Sequence, residues 1–212
     1  MVIRVIIADD ADLVIRGAQA ALAACHRLEV VGTARCTDDL LQQVRSQLAD
    51  VVVLSEWIYP TDVLSIVEAV HQAQPGLKVI VMGGLTDGLL IRDLFSAGVS
   101  GYLCKSDDLC DLLAAAIDVV LRGRLYLSPT ANTHYLLAAQ SAHVRPPLDA
   151  EARQVLQLLA QGEHAGEISQ RLGIEKRRVY WVREKLRRRF SAKTNEHLIQ
   201  RAVAEGFLCP YD

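Results

Sequence analysis

The chain has 212 residues, of which 51% are hydrophobic and 23% are charged, a composition typical of globular proteins and sufficient for one large or two small domains. No apolar run approaches the roughly 18–20 residues of a membrane-spanning helix, and the N-terminus turns acidic at Asp9 without a signal-peptide pattern, so we expect a cytoplasmic protein with no membrane partner. The five cysteines are odd in number and lack Cys-x-x-Cys spacing, which favours free thiols over disulfides or a zinc site.

The net charge of −2 conceals two halves of opposite sign. Residues 1–129 contain 10 Lys and Arg against 16 Asp and Glu, whereas residues 130–212 contain 13 against 9. This asymmetry predicts two domains that have different partners.

Short apolar runs alternate with amphipathic stretches through the first half. Runs rich in Val, Ile and Leu predict five strands, at residues 4–8, 28–34, 51–55, 77–84 and 101–105. A stretch with helical spacing follows each run. Strands that are apolar throughout are typical of a parallel sheet covered on both faces, with right-handed crossovers. We therefore predict an α/β domain with a doubly wound, five-stranded parallel sheet.

The second half shows no strand pattern and predicts a small all-α domain. Residues 128–147 contain three prolines and are predicted as a linker, with one helix near 135–140. Four helices are then predicted at 148–161, 164–172, 176–190 and 195–205. The second and third are separated only by Gly173-Ile174-Glu175, a turn typical of the helix-turn-helix motif. The predicted boundaries are 1–127, 128–147 and 148–212.

In a doubly wound sheet, the functional site lies at the carboxyl ends of the strands. Those ends carry the residues Asp9, Asp10, Ser55, Glu56, Gly83, Gly84 and Lys105. Paired carboxylates such as Asp9 and Asp10 can hold a hard cation such as Mg²⁺. Lys105 could neutralise an anion at the same place.

Three segments, IIADDADLVIRG, SAGVSGYLCK and LRGRLYLSP, resemble the receiver domain of bacterial response regulators, which has the CheY-like fold. The resemblance covers residues 2–129 in order and with the family's spacing. It implies that Asp9 and Asp10 form the acidic pair, that Lys105 is the lysine of the last strand, and that Tyr102 is the aromatic switch residue.

Two positions depart from the family's pattern. The family has a phosphoryl-accepting Asp at the end of the third strand. Spacing from Asp50 assigns this position to Ser55, whereas spacing back from Pro60 assigns it to Glu56. A shift of one residue turns a side chain to the other face of the sheet, so only one of them faces the site, and we favour Ser55. The family's switch Thr or Ser falls on Gly83, which has no hydroxyl.

These departures predict that the family's phosphoryl chemistry is lost. A serine without a general base is a poor nucleophile. If Glu56 reaches Lys105 instead, it would supply a fixed negative charge that holds the domain in an active-like state. Three alternatives remain for Asp9, Asp10 and Lys105: an ion-pair cluster that stabilises the strand ends, a Mg²⁺ site, or a pocket for another ligand.

Residues 148–190 resemble the LuxR-type helix-turn-helix, with Val179, Leu186 and Phe190 on the core face of the recognition helix. Together the two halves resemble the NarL/FixJ type of response regulator. The resemblance implies a homodimer that binds paired half-sites on double-stranded DNA. Nine Lys and Arg and a single acid, Glu184, lie between Lys176 and Lys193, where the family carries its DNA-binding residues.

The predicted DNA-binding residues are Lys176, Arg177, Arg178, Tyr180, Trp181, Arg183, Lys185, Arg188 and Lys193. Late in the helix, Arg187, Arg188 and Arg189 are predicted to contact phosphates rather than bases. Trp181 either contacts a thymine methyl group or packs against the first helix of the domain. Glu184 stands where the family commonly has Lys or Arg, which puts the family's usual DNA sequence in doubt.

The sequence therefore predicts an atypical response regulator that controls transcription independently of phosphorylation, through dimerisation, a small-molecule ligand or a partner protein. One alternative is a conventional phospho-switch that uses another acceptor, such as Glu56 or Asp10. A second is a protein-interaction module in which Tyr180 and Trp181 bind a protein. No Ser/His/Asp or Cys/His arrangement stands at a plausible site, so we do not expect an enzyme.

Overall fold

The computed structural model describes residues 2–58, 61–84, 88–140 and 148–208. The chain divides into two compact units, residues 1–140 and residues 141–212. Within the described ranges, no helix combines the length and the apolar character needed to cross a membrane.

The first unit alternates strands and helices. Its elements are β1 (Ile3–Ala8), α1 (Asp12–Ala23), β2 (Leu28–Ala34), α2 (Thr37–Ser46), β3 (Val51–Ser55), β4 (Trp57–Ile58), β5 (Thr61–Asp62), α3 (Val63–Ala73), β6 (Lys78–Gly83), α4 (Gly88–Ser96), β7 (Gly101–Cys104), α5 (Leu109–Leu121), β8 (Tyr126–Leu127) and α6 (Pro129–Gln140). The order in the main sheet is β2-β1-β3-β6-β7-β8, and every neighbouring pair is parallel.

The predicted doubly wound parallel sheet is confirmed, but the predicted strand count of five is wrong. Tyr126 and Leu127 add a sixth strand, β8, which pairs with Gly101 and Tyr102. A separate antiparallel hairpin, β4–β5, follows directly after Ser55 and Glu56. Both additions are strands of only two residues, which are too short to show a periodic pattern.

Burial on both faces explains why the central strands are continuous apolar runs. Four consecutive residues of β3, from Val51 to Leu54, have no exposed surface. Val51 and Val53 pack into a cluster that includes Leu22 of α1 and Ile117 of α5. The strand ends are therefore held rigidly, and this rigidity fixes the positions of the side chains that follow them.

Helix α6 occupies most of the predicted linker and packs against α4 within the first unit. The rings of Phe95 and Tyr135 meet edge to face, with their centroids 5.9 Å apart. Asp107 accepts hydrogen bonds from the amide and the hydroxyl of Thr130, at 3.1 and 2.5 Å. The helix begins earlier than the predicted 135–140. The sequence pattern did not indicate its first part, because the apolar residues of the helix do not form a single stripe. The rest of the predicted linker, 141–147, lies outside the described residues.

Within residues 148–208, the second unit contains four helices: α7 (Ala150–Ala160), α8 (Ala165–Leu172), α9 (Lys176–Arg189) and α10 (Asn195–Ala204). They match the four predicted helices to within a few residues. His164 caps α8 by accepting the amide protons of Gly166 and Glu167. Gly173, with φ of +65°, ends α8 in the left-handed conformation that favours glycine. Gly173 therefore starts the short turn between α8 and α9.

Two glycine-to-alanine substitutions should have opposite effects on the first unit. At Gly88, a Cβ atom would lie 2.2 Å from the His134 carbonyl oxygen and 2.6 Å from the Ala138 Cβ, so Gly88→Ala should destabilise the α4–α6 contact by about 1–3 kcal/mol. Gly17 is exposed in the middle of α1, and no described atom lies within 4 Å of its Cβ position. Gly17→Ala should therefore stabilise the unit by about 0.5–1 kcal/mol.

Urea unfolding followed by the fluorescence of Trp57, in a Trp181→Phe background, measures both effects in the full chain. A Gly88→Ala variant as stable as the wild type would contradict the close α4–α6 packing, and a destabilised Gly17→Ala variant would contradict the open surroundings of Gly17.

Candidate functional sites

The ammonium group of Lys105 joins side chains from three strand ends. Its Nζ donates hydrogen bonds to Oδ2 of Asp9 and to Oγ of Ser55, both at 3.0 Å. Asp9 and Ser55 have no exposed surface. The second oxygen of Asp9, Oδ1, accepts the amide proton of Ala11 at 2.8 Å. The structure thus brings together three of the residues predicted at the strand ends.

Asp10 does not share this environment, because its side chain is exposed. Both oxygens of Asp9 are already bonded, one of them to an ammonium group. Across the described ranges, no three His, Cys, Asp or Glu side chains converge as metal ligands. Mg²⁺ requires several oxygen ligands and keeps part of its hydration shell. The residues at this site therefore do not fit a resident Mg²⁺ ion.

A second polar cluster is centred on Glu56, whose side chain is 1% exposed. Its Oε2 accepts a hydrogen bond from the Tyr102 hydroxyl at 2.9 Å, and its Oε1 accepts the Gly84 amide proton at 2.5 Å. A Cβ atom on Gly83 would lie 1.9 Å from the Tyr102 hydroxyl and 2.1 Å from Glu56 Oε2. The absence of a side chain at Gly83 therefore leaves the space in which the phenol and the carboxylate meet.

Ser55 and Glu56 point to these two different clusters. Ser55 bonds Lys105, as the spacing from Asp50 favoured, whereas Glu56 bonds Tyr102 and Gly84. The negative charge at the Lys105 ammonium comes from Asp9. Gly84 was predicted at a strand end, but its amide was not predicted as a donor to Glu56, because a backbone donor leaves no signal in side-chain patterns.

Burial raises the pKa of the Tyr102 phenol well above its ordinary value of 10.0, and the charge of Glu56 together with the hydrogen bond to it raises the pKa further. Tyr102 therefore remains a neutral donor to the carboxylate. The folded state holds the phenolic proton more tightly than the unfolded state. The contribution of the Tyr102–Glu56 hydrogen bond to stability is therefore complete below pH 10 and is lost as the pH rises above it.

The recognition-helix candidate α9 buries one face and exposes the other. Val179, Val182 and Leu186 are buried, and Phe190 follows them with no exposed surface. The exposed side carries Lys176 and Arg177 at its start. The predicted core face of this helix is thus correct for Val179, Leu186 and Phe190.

The basic residues of α9 differ in what they contact. Arg178 Nε bonds Glu151 Oε1 at 2.7 Å, and Lys185 Nζ bonds Asp149 Oδ2 at 2.5 Å. Both acids lie at the start of α7, 27 and 36 residues earlier in the chain, so patterns within α9 do not indicate these pairs. Lys193 lies beyond α9 and is exposed.

The grouping of Arg187, Arg188 and Arg189 as three phosphate contacts is wrong. Arg189 is 4% exposed, and its guanidinium lies over the rings of Phe190 and Phe207, 5.6 and 5.4 Å from their centroids. Arg187 bonds Asn195 at 2.9 Å. Arg188 is the exposed member of the three. Consecutive residues on a helix point in different directions, so a run of charges in the sequence does not show which of them are exposed.

The aromatic residues of α9 are exposed. Trp181 is 54% exposed, with the Arg178 guanidinium 4.4 Å from its ring centroid. Tyr180 is 45% exposed, with Arg183 4.8 Å from its ring centroid. Of the two alternatives for Trp181, this exposure favours contact with a ligand over packing against α7.

A family model described as the response regulator receiver domain matches residues 5–117. The chain belongs to this family. Response regulator GacA of Pseudomonas aeruginosa is 28% identical over 210 residues, which cover 97% of this chain and 98% of that protein. Response regulator UvrY of Escherichia coli is 24% identical over 210 residues, covering 98% of this chain and 96% of that protein. The resemblance of both halves to response regulators is thereby confirmed.

A solved structure described as RcsB of Salmonella enterica serovar Typhimurium, bound to promoter rprA in the presence of the phosphomimetic BeF3-, is similar in fold. It has a TM-score of 0.74 and 17% sequence identity, and the match covers 95% of this chain and 98% of that chain. The similarity supports the receiver fold followed by a helical unit.

Substitution of Tyr102 by Phe should expose the role of the buried pair. The substitution leaves one oxygen of the Glu56 carboxylate without the Tyr102 donor, which should cost about 1–3 kcal/mol near neutral pH. The wild-type phenol resists ionisation only in the folded state. The difference in the free energy of unfolding between wild type and variant should therefore narrow as the pH rises above 10. Urea unfolding at a series of pH values measures this difference, and Tyr180→Phe, on the exposed face of α9, is the control. A difference that stays constant through pH 11 would contradict the argument.

Proposed function

We propose that this protein is a DNA-binding transcription regulator whose receiver domain acts without phosphorylation. The observation that carries the proposal is the hydroxyl of Ser55, which bonds Lys105 at the end of β3 where the family has its phosphoryl-accepting carboxylate. The departure at Gly83 supports the same conclusion, because the Tyr102–Glu56 pair fills the space beside it.

The Ser55 hydroxyl has no suitable base in this cluster. Its hydrogen-bond donor is Lys105, whose ammonium is also bonded to the Asp9 carboxylate. An ammonium group donates protons and cannot remove one from a serine. The Asp9 carboxylate is itself engaged by Lys105 and the Ala11 amide. The cluster therefore favours the first of the three alternatives, an ion pair that stabilises the strand ends.

A conventional phospho-switch that uses Glu56 has less support. Its carboxylate is 1% exposed and accepts hydrogen bonds from Tyr102 and Gly84. Phosphoryl transfer to it would require the buried cluster to open first. Asp10 is exposed, but the Lys105 ammonium that would balance the charge of an acyl phosphate is bonded to Asp9 and Ser55.

The second unit supports the DNA-binding part of the proposal. The second helix of a helix-turn-helix lies in the major groove, with its N-terminal residues near base edges. Helix α9 has this position after the Gly173 turn, and it presents Lys176 and Arg177 at its start. The relatives bear the name response regulator, and the RcsB structure is described as bound to a promoter. By this likeness we expect a homodimer on paired half-sites.

An interaction module that binds protein through Tyr180 and Trp181 is the rival from another class. Both rings are exposed, but each is covered on one side by an arginine. A positive surface that surrounds exposed rings suits nucleic acid better than an apolar protein surface. Control of the regulator by a small-molecule ligand or a partner protein at the receiver is part of the proposal.

Phosphodonor should leave the DNA affinity of the full-length protein unchanged. The affinity for DNA fragments selected from its own genome is measured by fluorescence anisotropy, with and without Mg²⁺ and acetyl phosphate. The Ser55→Asp variant is the matched comparison, because it restores a carboxylate beside Lys105. A several-fold increase in the affinity of the wild type on addition of the donor would show that another side chain accepts the phosphoryl group.

The salt dependence of DNA binding should fall when a phosphate contact is removed. Lys176→Ala and Arg177→Ala should each lower affinity and reduce the slope of log K against log salt by about one. Arg45→Ala removes an exposed charge from α2 of the first unit and should change neither. A shallow slope that none of these variants alters would favour the protein-interaction alternative.

A further inference from the structure

The exposed face of α9 carries a carboxylate among its basic and aromatic residues. Burial of Val179, Val182 and Leu186 fixes the orientation of the helix, because residues three and four apart share a face. The opposite face then carries the exposed residues Arg177, Trp181, Glu184 and Arg188. Glu184 is the sole acid in the sequence of α9, and its side chain is 54% exposed.

The ion pair with Arg188 on the same helix does not explain why α9 carries Glu184. Glu184 lies 3.5 Å from Arg188, and both side chains are more than half exposed. Exposed pairs of this kind contribute little to stability. A carboxylate on a face that approaches DNA is also repelled by the phosphates. A specific contact on the bases would offset that repulsion.

The chemistry of the major groove limits what a carboxylate can bind there. Guanine presents two acceptors, O6 and N7, and thymine presents the O4 acceptor, so all of these repel a carboxylate. Adenine places its amino donor next to the N7 acceptor. Cytosine presents the N4 amino group as a donor without an adjacent acceptor on the same base. Cytosine is therefore the base that a groove-facing carboxylate favours.

We propose that Glu184 determines part of the DNA sequence that this protein recognises, by accepting a hydrogen bond from the N4 amino group of a cytosine in each half-site. This inference rests on the proposed DNA-binding function. Tyr180 and Trp181 lie one turn earlier on the same exposed side, and the arginines over their rings hold both in place. The Glu184 side chain is 54% exposed on this side, so its carboxylate is accessible to a base edge.

Selection of binding sites from a random duplex pool, followed by sequencing, tests the assignment. We expect the wild-type protein to enrich cytosine at one position of each half-site by about fivefold or more. Glu184→Ala should lose the preference at that position and keep it at the others. Glu184→Lys should prefer guanine there, because a lysine donates to O6 and N7.

Two further variants separate the alternatives. Glu196→Gln removes an exposed negative charge from α10 and should leave every position unchanged. If Arg188→Ala abolishes the same preference as Glu184→Ala while Glu184→Lys fails to shift it to guanine, Glu184 acts only by holding Arg188, and the assignment is wrong.

An unchanged preference in Glu184→Ala would also overturn the assignment while leaving the DNA-binding function intact. Failure of the wild-type protein to retain any DNA would instead overturn the proposed function itself, and the specificity of Glu184 with it. Because Glu184 is exposed, these variants should fold, and circular dichroism of each one confirms this before selection.

Discussion

The buried carboxylate of Asp9 constrains the whole carboxyl edge of the sheet. A charge without access to water is costly unless it is paired and hydrogen-bonded. Its partner, Lys105, follows β7, and β3 and β6 lie between β7 and β1 in the sheet. The lysine side chain therefore extends across the end of β3, where it also bonds Ser55. With a hydroxyl at that point, one ammonium balances one carboxylate. A second carboxylate in place of the hydroxyl would leave an excess of negative charge at the strand ends.

The sequence was a good guide wherever an element was long and buried. Val51 to Leu54 formed an apolar run because both faces of β3 are covered. Ser55, the residue that the spacing from Asp50 favours, lies beside Lys105, and Asp50 itself is fixed by accepting the Arg4 amide proton at 2.7 Å. Strand β8 and the two hairpin strands were not predicted, because a strand of two residues is too short to show a periodic pattern. Helix α6 was only partly predicted because its contacts with α4, such as Phe95 on Tyr135, depend on the tertiary structure.

Counting charges along α9 overstated the positive surface of the second unit. Asp149 and Glu151 bond two of the basic residues from the start of α7, and Arg189 turns inward onto aromatic rings. Burial alone would raise the pKa of Asp149, but hydrogen bonds from Lys185 and the Ala152 amide, with the charges of Lys185 and Arg178, lower it. The same acid caps α7 and orients α9, so the fold uses part of the basic run to fix the angle between two helices.

The crowding beside Gly83 makes the departures of this receiver dependent on one another. Any side chain at that position would meet the Tyr102 hydroxyl and the Glu56 carboxylate at less than the sum of their atomic radii. A threonine there could be accommodated only after both neighbours had moved. The residues at positions 56, 83 and 102 are therefore coupled, because a side chain at 83 requires a compensating change at 56 or at 102.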